Sequence, residues 1–448
     1  MNIITRFAPS PTGFLHIGGV RTALFNHLFT KQNKGKLILR IEDTDKVRST
    51  QEYEKSIVDS LKWLDFSFDE TFKQSDREEV YKKYLKQLIE QGKAYISKET
   101  PKEEGDRDEV IRFKNPNKKI KFTDLIRGEI EFDTTELGDF VIAKSLEEPL
   151  YHLAVVVDDF EMGITHIIRG EDHISNTPRQ ILIQEALGAT RPIYAHLPLI
   201  LAPDKSKLSK RKHGESVSIN FYKEKGYLPE ALINYLTFLG WNSGTEQEIF
   251  SMNELIEQFD LAKVQKSGAI FNIEKLNWIN KEYIKKLDKK VLFDEVKKRI
   301  EKKYKCADEY LEKLLPIILD RISIFSDIDT MIEVGELDYF FNEPQYAKEK
   351  LFWKPARQSG GGENDSQKTI TYLRKIIEII SKIDDWKDNV IKTSIMPYAE
   401  KEGKGSVLWP TRYALSGKDK SPDPFTLISV LGKEKTILRI TNAINILL

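Results

Sequence analysis

His16 lies in the run Arg6-Phe7-Ala8-Pro9-Ser10-Pro11-Thr12-Gly13-Phe14-Leu15-His16-Ile17-Gly18-Gly19, whose residue types suit a phosphate seat. Pro9 and Pro11 remove two amide donors and fix φ, so a strand cannot continue through them. Gly13, Gly18 and Gly19 let a ligand come close to bare backbone. A helix start placed here would offer amide N–H groups to an anion, with an imidazole beside them. Lys207 and Lys210 stand in a lysine-rich loop, 205–212, that could neutralise charge on phosphate oxygens, although composition alone does not say which lysine reaches one. Glu42 and Arg169 each follow a short apolar run, where strand ends meet ligands in open α/β sheets. An arginine fork matches a carboxylate with two parallel hydrogen bonds. Each reading has a plainer alternative: a packing turn for the glycines, an ion pair with Glu171 for Arg169, and local capping for Asp43 and Asp45.

Those side chains need elements to hold them. Ile3-Ile4-Thr5 is β-branched and predicts a strand, and Val20, Leu24 and Leu28 recur every four residues as the stripe of a helix. Residues 37–41 predict a second strand. Ser49 with Glu52, and Ser75 with Glu78, fit capping boxes that start two helices, the second closed by Gly92. From 95 to 150 the pattern changes to extended segments at 110–114, 129–132 and 139–143. The sheet is expected to resume with strands at 151–157 and 164–168. Thr177, Pro178 and Gln180 then open a helix, and 197–201 forms a last strand before the lysine loop. Strand, polar tip, helix in both halves predicts one doubly wound parallel sheet of Rossmann type in an α/β domain. Beyond Gly214 helical spacing prevails, with an apolar segment at 228–239 and a regular stripe at Ile370, Leu373, Ile377 and Ile380. Residues 359–362, Ser-Gly-Gly-Gly, read as a loop or hinge. The run 407–417 puts Trp409 and Arg412 close together, as an aromatic packed under a basic rim or as an RNA contact.

The 448 residues carry 70 basic and 70 acidic side chains, so a polyanionic partner must be met by local patches. A single cysteine, Cys306, excludes an intrachain disulfide and any multi-cysteine zinc site. No apolar run reaches membrane-spanning length and no signal pattern opens the chain, so a cytoplasmic protein that engages no membrane is expected, as a monomer.

Pro9 to Gly19, with Arg40-Ile41-Glu42-Asp43-Thr44-Asp45 and Lys207-Leu208-Ser209-Lys210-Arg211, resembles the class I glutamyl-tRNA synthetases. The first stretch is similar to that family's His-Ile-Gly-His signature and the last to its Lys-Met-Ser-Lys-Ser. The resemblance implies attack of a glutamate carboxylate on the α-phosphorus of ATP, carried with Mg2+, then transfer of glutamyl to the 3′ end of tRNA. It implies His16, Gly18, Gly19, Lys207 and Lys210 as catalytic residues. Pro9, Gly13, His16, Gly18, Asp172 and Lys210 would hold ATP. Arg6, Ala8, Ser10, Glu42, Tyr151, Val155 and Arg169 would hold glutamate, and Arg48, Trp409 and Arg412 would meet tRNA. The partitions expected are a catalytic domain in two halves, 1–94 and 151–213, an acceptor-end insertion at 95–150, a helical junction at 214–280, and an all-α anticodon-binding part at 281–448. Two departures stand out. Gly19 replaces the signature's second histidine, and Tyr95-Ile96-Ser97-Lys98 replaces the Tyr-Cys-x-Cys that precedes a zinc site in some members, so no metal ligands and no zinc are expected. Glutamine acceptor tRNA stays open as a second substrate. The rival readings are a glutaminyl-tRNA synthetase, whose counterpart of 40–45 lacks the glutamate, and a silent tRNA-binding paralogue, against which intact His16, Glu42, Lys207 and Lys210 argue.

Overall fold

The computed structural model describes residues 2–99, 108–353 and 363–448, so the glycine run at 359–362 lies outside the described residues. The chain divides into two compact units, Met1–Ile284 and Lys285–Leu448.

In the first unit β1 (Ile4–Phe7), α1 (Ile17–Gln32), β2 (Lys36–Ile41), α2 (Gln51–Trp63), β3 (Glu70–Lys73) and α3 (Glu78–Glu90) form one half. The strands are parallel in the order β1-β2-β3. An insertion follows: β4 (Ala94–Lys98), β5 (Glu109–Phe113), β6 (Lys119–Asp124), β7 (Gly128–Asp133), β8 (Phe140–Ser145) and β9 (Glu148–Pro149). Then come α4 (Tyr151–Glu161), β10 (His166–Gly170), α5 (Thr177–Leu187), β11 (Ile193–Leu197) and β12 (Ile200–Leu201). β10 and β11 are parallel. Thr165 ties the two halves together, its N–H donating to the Ile4 carbonyl at 2.9 Å and its hydroxyl accepting from the Ile4 N–H at 2.9 Å. The expected single parallel sheet is therefore two, β1-β2-β3 and β10-β11-β6-β7, joined beside β10 by Thr165, which lies just outside the strand; the seam between β1 and β10 is the switch point where a crevice opens beyond the strand ends.

The insertion is divided between two sheets. β4, β5, β8 and β9 make an antiparallel sheet of their own, whereas the β6–β7 hairpin continues the β10–β11 sheet through Asp124 opposite Tyr194.

Residues 151–157, expected as strand, are helix. Leu153 to Asp159 are all buried in α4, and a helix buried on every side shows no polar face. A short run of valines cannot by itself be told from a buried strand. The three expected helix starts also move. Thr50, not Ser49, caps α2 by accepting from the Tyr53 N–H. Ser75 lies within a 3-10 turn, Gln74–Arg77, and α3 begins after it. Asn176 precedes α5, and the Thr177 hydroxyl is used on Arg169 instead. The expected strand at 197–201 is two pieces, β11 and β12, with Pro198 and Leu199 between them.

Past the lysine loop the unit continues as α6 (Lys210–His213), α7 (Ile219–Glu224), α8 (Pro229–Phe238), α9 (Met252–Gln258), β13 (Ala269–Ile270) and α10 (Ile273–Ile284). β12 pairs in parallel with β13. Gly268 makes that pairing possible, since a Cβ there would lie 2.7 Å from the Leu201 side chain.

The second unit is helical. The helices Glu363–Ser381, Asp388–Glu402, Lys404–Ser416 and Pro424–Leu447 bury Leu373, Ile380, Ile391, Ile395 and Ile440. Arg439, 1 % exposed, donates to the carbonyls of Tyr339, Leu415 and Asn342 and so ties segments far apart in sequence. No helix among the described residues is long and apolar enough to cross a membrane.

Candidate active site

The prolines and glycines of the opening run form a crossover from β1 to α1. Carbonyls of Pro9 and Pro11 accept from the N–H groups of Glu42 and Thr50, so the crossover is fastened to the end of β2 and to the start of α2 although its prolines donate nothing. His16 caps α1, its Nδ1 accepting from the Gly19 N–H at 3.0 Å. The proton of a neutral ring is then on Nε2. Desolvation against the cleft wall lowers the His16 pKa, with Asp172 pulling it up and Lys207 pushing it down. Gly18 has a steric reason to be glycine, because a Cβ would sit 3.0 Å from His16 Nδ1. The chain beyond the lysine loop closes back on the run, with the Ile219 N–H donating to the Leu15 carbonyl.

A cleft of about 430 Å³ opens at the switch point. It is lined by Arg6, Ala8, Pro9, Ser10, Gly13, His16, Gly18, Gly19, Glu42, Tyr151, Val155, Arg169, Asp172 and Lys207, that is, by all the catalytic, glutamate and ATP candidates except Lys210, whose side chain lies outside the described residues. The helix at 151–161 explains how Tyr151 and Val155 both reach it, since residues four apart share a helix face.

Lys207 lines the cleft with its Nζ 2.9 Å from Asp172. Both side chains are about half exposed, so this pair is weak and open to competition from a phosphate. Arg6, Glu42 and Arg169, which also line the cleft, are buried and charged. Arg40, fully buried, bonds Glu42 Oε1 at 2.9 Å and Asp159 at 2.7 Å, and Asp159 also holds Arg6 Nε at 3.1 Å. Asp158 takes Arg77 at 2.7 Å and Tyr81 at 2.9 Å. Burial raises the Glu42 pKa against the pull of Arg40 and Arg6.

Arg169 is different, being 5 % exposed with no carboxylate in salt-bridge contact among the described residues. Glu171, its suggested ion-pair partner, is paired with Arg127 and accepts from the Leu199 N–H. Arg169 Nη1 is buried without a hydrogen-bond partner among the described residues. A buried, half-used cation beside a cleft is suited to an anionic ligand.

Sequence reasoning did not single out His173, Arg21, Leu199 or Leu208, which also line the cleft. His173 Nδ1 lies 3.2 Å from the Tyr151 hydroxyl, and desolvation lowers its pKa to about 4. His173 directly follows Arg169-Gly170-Glu171-Asp172, so the strand-end rule pointed to its neighbourhood.

Asp43 and Asp45 behave as ties: Asp43 accepts from the Ser75 N–H, and Asp45 from Arg48. Arg48 is exposed, held by Asp45, and lines a second cavity of about 670 Å³ that shares Ser10, Glu42 and Tyr151 with the cleft. In the second unit Trp409 and Arg412 lie on one helix, the guanidinium 4.8 Å from the indole centroid. Trp409 Nε1 donates to the Lys350 carbonyl and Arg412 to those of Asp419 and Ser421, so both are engaged within their own unit. Among the described residues no group of three or more His, Cys, Asp or Glu is arranged to hold a metal.

Residues 2–109 and 98–278 match the family model of class I tRNA synthetases (E and Q), catalytic domain, and residues 273–444 match that of an anticodon binding domain. The glutamate–tRNA ligase of Aquifex aeolicus is 42 % identical, with 97 % of each chain covered. That of Thermodesulfovibrio yellowstonii is 40 % identical, over 98 % of this chain and 99 % of the relative. The chain belongs to the glutamate–tRNA ligases of class I. A solved ligase of this family from Elizabethkingia meningosepticum, in complex with its amino acid, is similar over 100 % of both chains with a TM-score of 0.87 and 35 % identity. The α/β domain with parallel strands and the helical remainder are those of this ligase family, and a glutaminyl enzyme is not favoured.

Proposed function

We propose that the cleft joins L-glutamate to ATP and then to the 3′ end of tRNA, with the roles divided by its two ends. The observation that carries this reading is that one cleft brings His16 and the half-exposed Lys207 together with a buried Arg169 whose Nη1 has no hydrogen-bond partner among the described residues. At the nucleotide end, Pro9, Gly13 and Gly18 give ATP a flat backbone wall. His16 donates from Nε2, and Lys207 exchanges Asp172 for a phosphate oxygen, so charge developing on the phosphates meets donors already in place. Lys210 is the second ammonium of this task. Magnesium is carried by the triphosphate's own oxygens, in keeping with a cation that usually retains substrate phosphates and water as ligands.

At the amino-acid end, Arg169 takes the side-chain carboxylate and Glu42 the α-ammonium. Both bonds from Arg40 end on Glu42 Oε1, which orients the carboxylate towards the cleft. Arg6, fixed by Asp159, Tyr151 and Ser10 complete the pocket, with Ala8 and Val155 as its apolar floor. The α-carboxylate then attacks the α-phosphorus, pyrophosphate leaves, and the terminal ribose hydroxyl of tRNA displaces AMP. Catalysis on this account is alignment plus charge neutralisation. Arg48, Trp409 and Arg412 are the tRNA contacts of the proposal, and the enzyme acts as a cytoplasmic monomer. Charging purified glutamate and glutamine acceptor tRNAs with each amino acid tests the whole reading. Glutamate is expected on the glutamate acceptor; glutamine charged at a comparable rate would overturn it.

A further inference from the structure

Asp124 and His196 are fully buried side chains that the chemistry above does not use. Asp124 closes β6 in the insertion. Its Oδ1 accepts from the N–H groups of Ile126 at 2.9 Å and Arg127 at 2.8 Å, and its Oδ2 from His196 N–H at 3.0 Å and His196 Nδ1 at 2.6 Å. Four donors on two oxygens call for a carboxylate. Burial works against that charge, yet the bonds from His196 and the backbone hold the Asp124 pKa below its ordinary value.

A carboxylate at Nδ1 fixes the proton there, so the His196 lone pair is on Nε2. That nitrogen lies 3.2 Å from Arg169 Nε and 3.2 Å from the Thr177 hydroxyl, which itself accepts from Arg169 Nη2 at 2.7 Å. Tyr194 stacks on His196 and lies 5.9 Å from the guanidinium carbon. The Nε edge of Arg169 is therefore used within the protein, and Nη1 is the part with no partner.

We infer that Asp124 and His196 are positioning residues for amino-acid choice: Asp124, at the end of β6 in the insertion, fixes His196 on β11, and His196 turns Arg169 so that its Nη1 end, and not its Nε edge, meets the side-chain carboxylate of glutamate. This rests on Arg169 being the ligand of that carboxylate. Were His196 held in the other tautomer, two N–H groups would face each other and the guanidinium would have to rotate.

The test compares kcat/KM for glutamate and glutamine, with KM for ATP as control. His196→Phe keeps the ring size and leaves Asp124 three backbone donors. It should raise the glutamate KM about tenfold and lower the preference for glutamate by a similar factor, with the ATP KM within twofold. Thr177→Val, which leaves Asp124 untouched, should act in the same direction by about threefold, and it decides the matter if His196→Phe does not fold. Arg169→Lys should itself lower the preference, and His196→Phe added to it should cost nothing more. An unchanged preference in Arg169→Lys would overturn the reading of Arg169. A lowered preference there, with His196→Phe and Thr177→Val at wild-type glutamate KM, would overturn the positioning role alone.

Discussion

His16 does two jobs that one substitution can separate. As the cap of α1 it accepts the Gly19 N–H, and as a cleft residue it presents Nε2 to phosphate. Asparagine caps helices well but lacks that second nitrogen. His16→Asn should keep the melting temperature within a degree or two while turnover at saturating ATP falls about 100-fold, the size of effect seen when one preorganised donor to developing charge is removed. Retained turnover would reduce His16 to a cap. His16, Glu42 and Lys207 were legible in the sequence because prolines, glycines and a change of hydrophobic period mark the crossover where such groups gather. The use of Thr177 was hidden, since a threonine before proline reads as a cap. Only the fold shows that the Arg169 guanidinium 2.7 Å away claims its hydroxyl.

At the scale of elements, α1 carries a buried base as well as the cleft. His27 is 5 % exposed, lies against Phe66 and has no hydrogen-bond partner at Nδ1 among the described residues. Desolvation first, then Lys31, lowers its pKa to about 4 against the opposing pull of Asp65 and Asp69. The unfolded chain takes up this proton near pH 6.5 and the folded one only near 4, so the neutral ring's contribution is complete above 6.5 and is lost as pH falls between the two. At pH 5 the loss from this one group is about 2 kcal/mol. His27→Phe should therefore flatten the acid dependence of the first unit's urea midpoint, and an unchanged slope from pH 7 to 5 would place the effect elsewhere. Elements with a clear period, such as α1 and β2, could be read from the sequence. α4 could not, because its buried valines carry the composition of a strand and its two aspartates, 158 and 159, look like a polar stop. In the fold they are the acceptors for Arg6, Arg40 and Arg77.

At the scale of the whole molecule, the cleft lies in Met1–Ile284 and the match to an anticodon binding domain spans residues 273–444. Full-length enzyme should charge a tRNA with an altered anticodon at least tenfold less efficiently than the native one, with the glutamate KM unchanged. Equal charging would leave the helical unit without a reading role. The helical character of this half was legible from its spacing, but the engagement of Trp409 and Arg412 with their own backbone was not, because a sequence shows donors without their acceptors. The stitch between Ile4 and Thr165 has a temporal consequence. The partners are 161 residues apart, so on the ribosome β1 waits for its neighbour while the whole insertion is made. At about 5–20 residues per second that wait is roughly 8–30 s. During it the Ile4 edge of β1 stands unpaired, and the part of the cleft lined by Tyr151, Arg169 and Lys207 has yet to be synthesised.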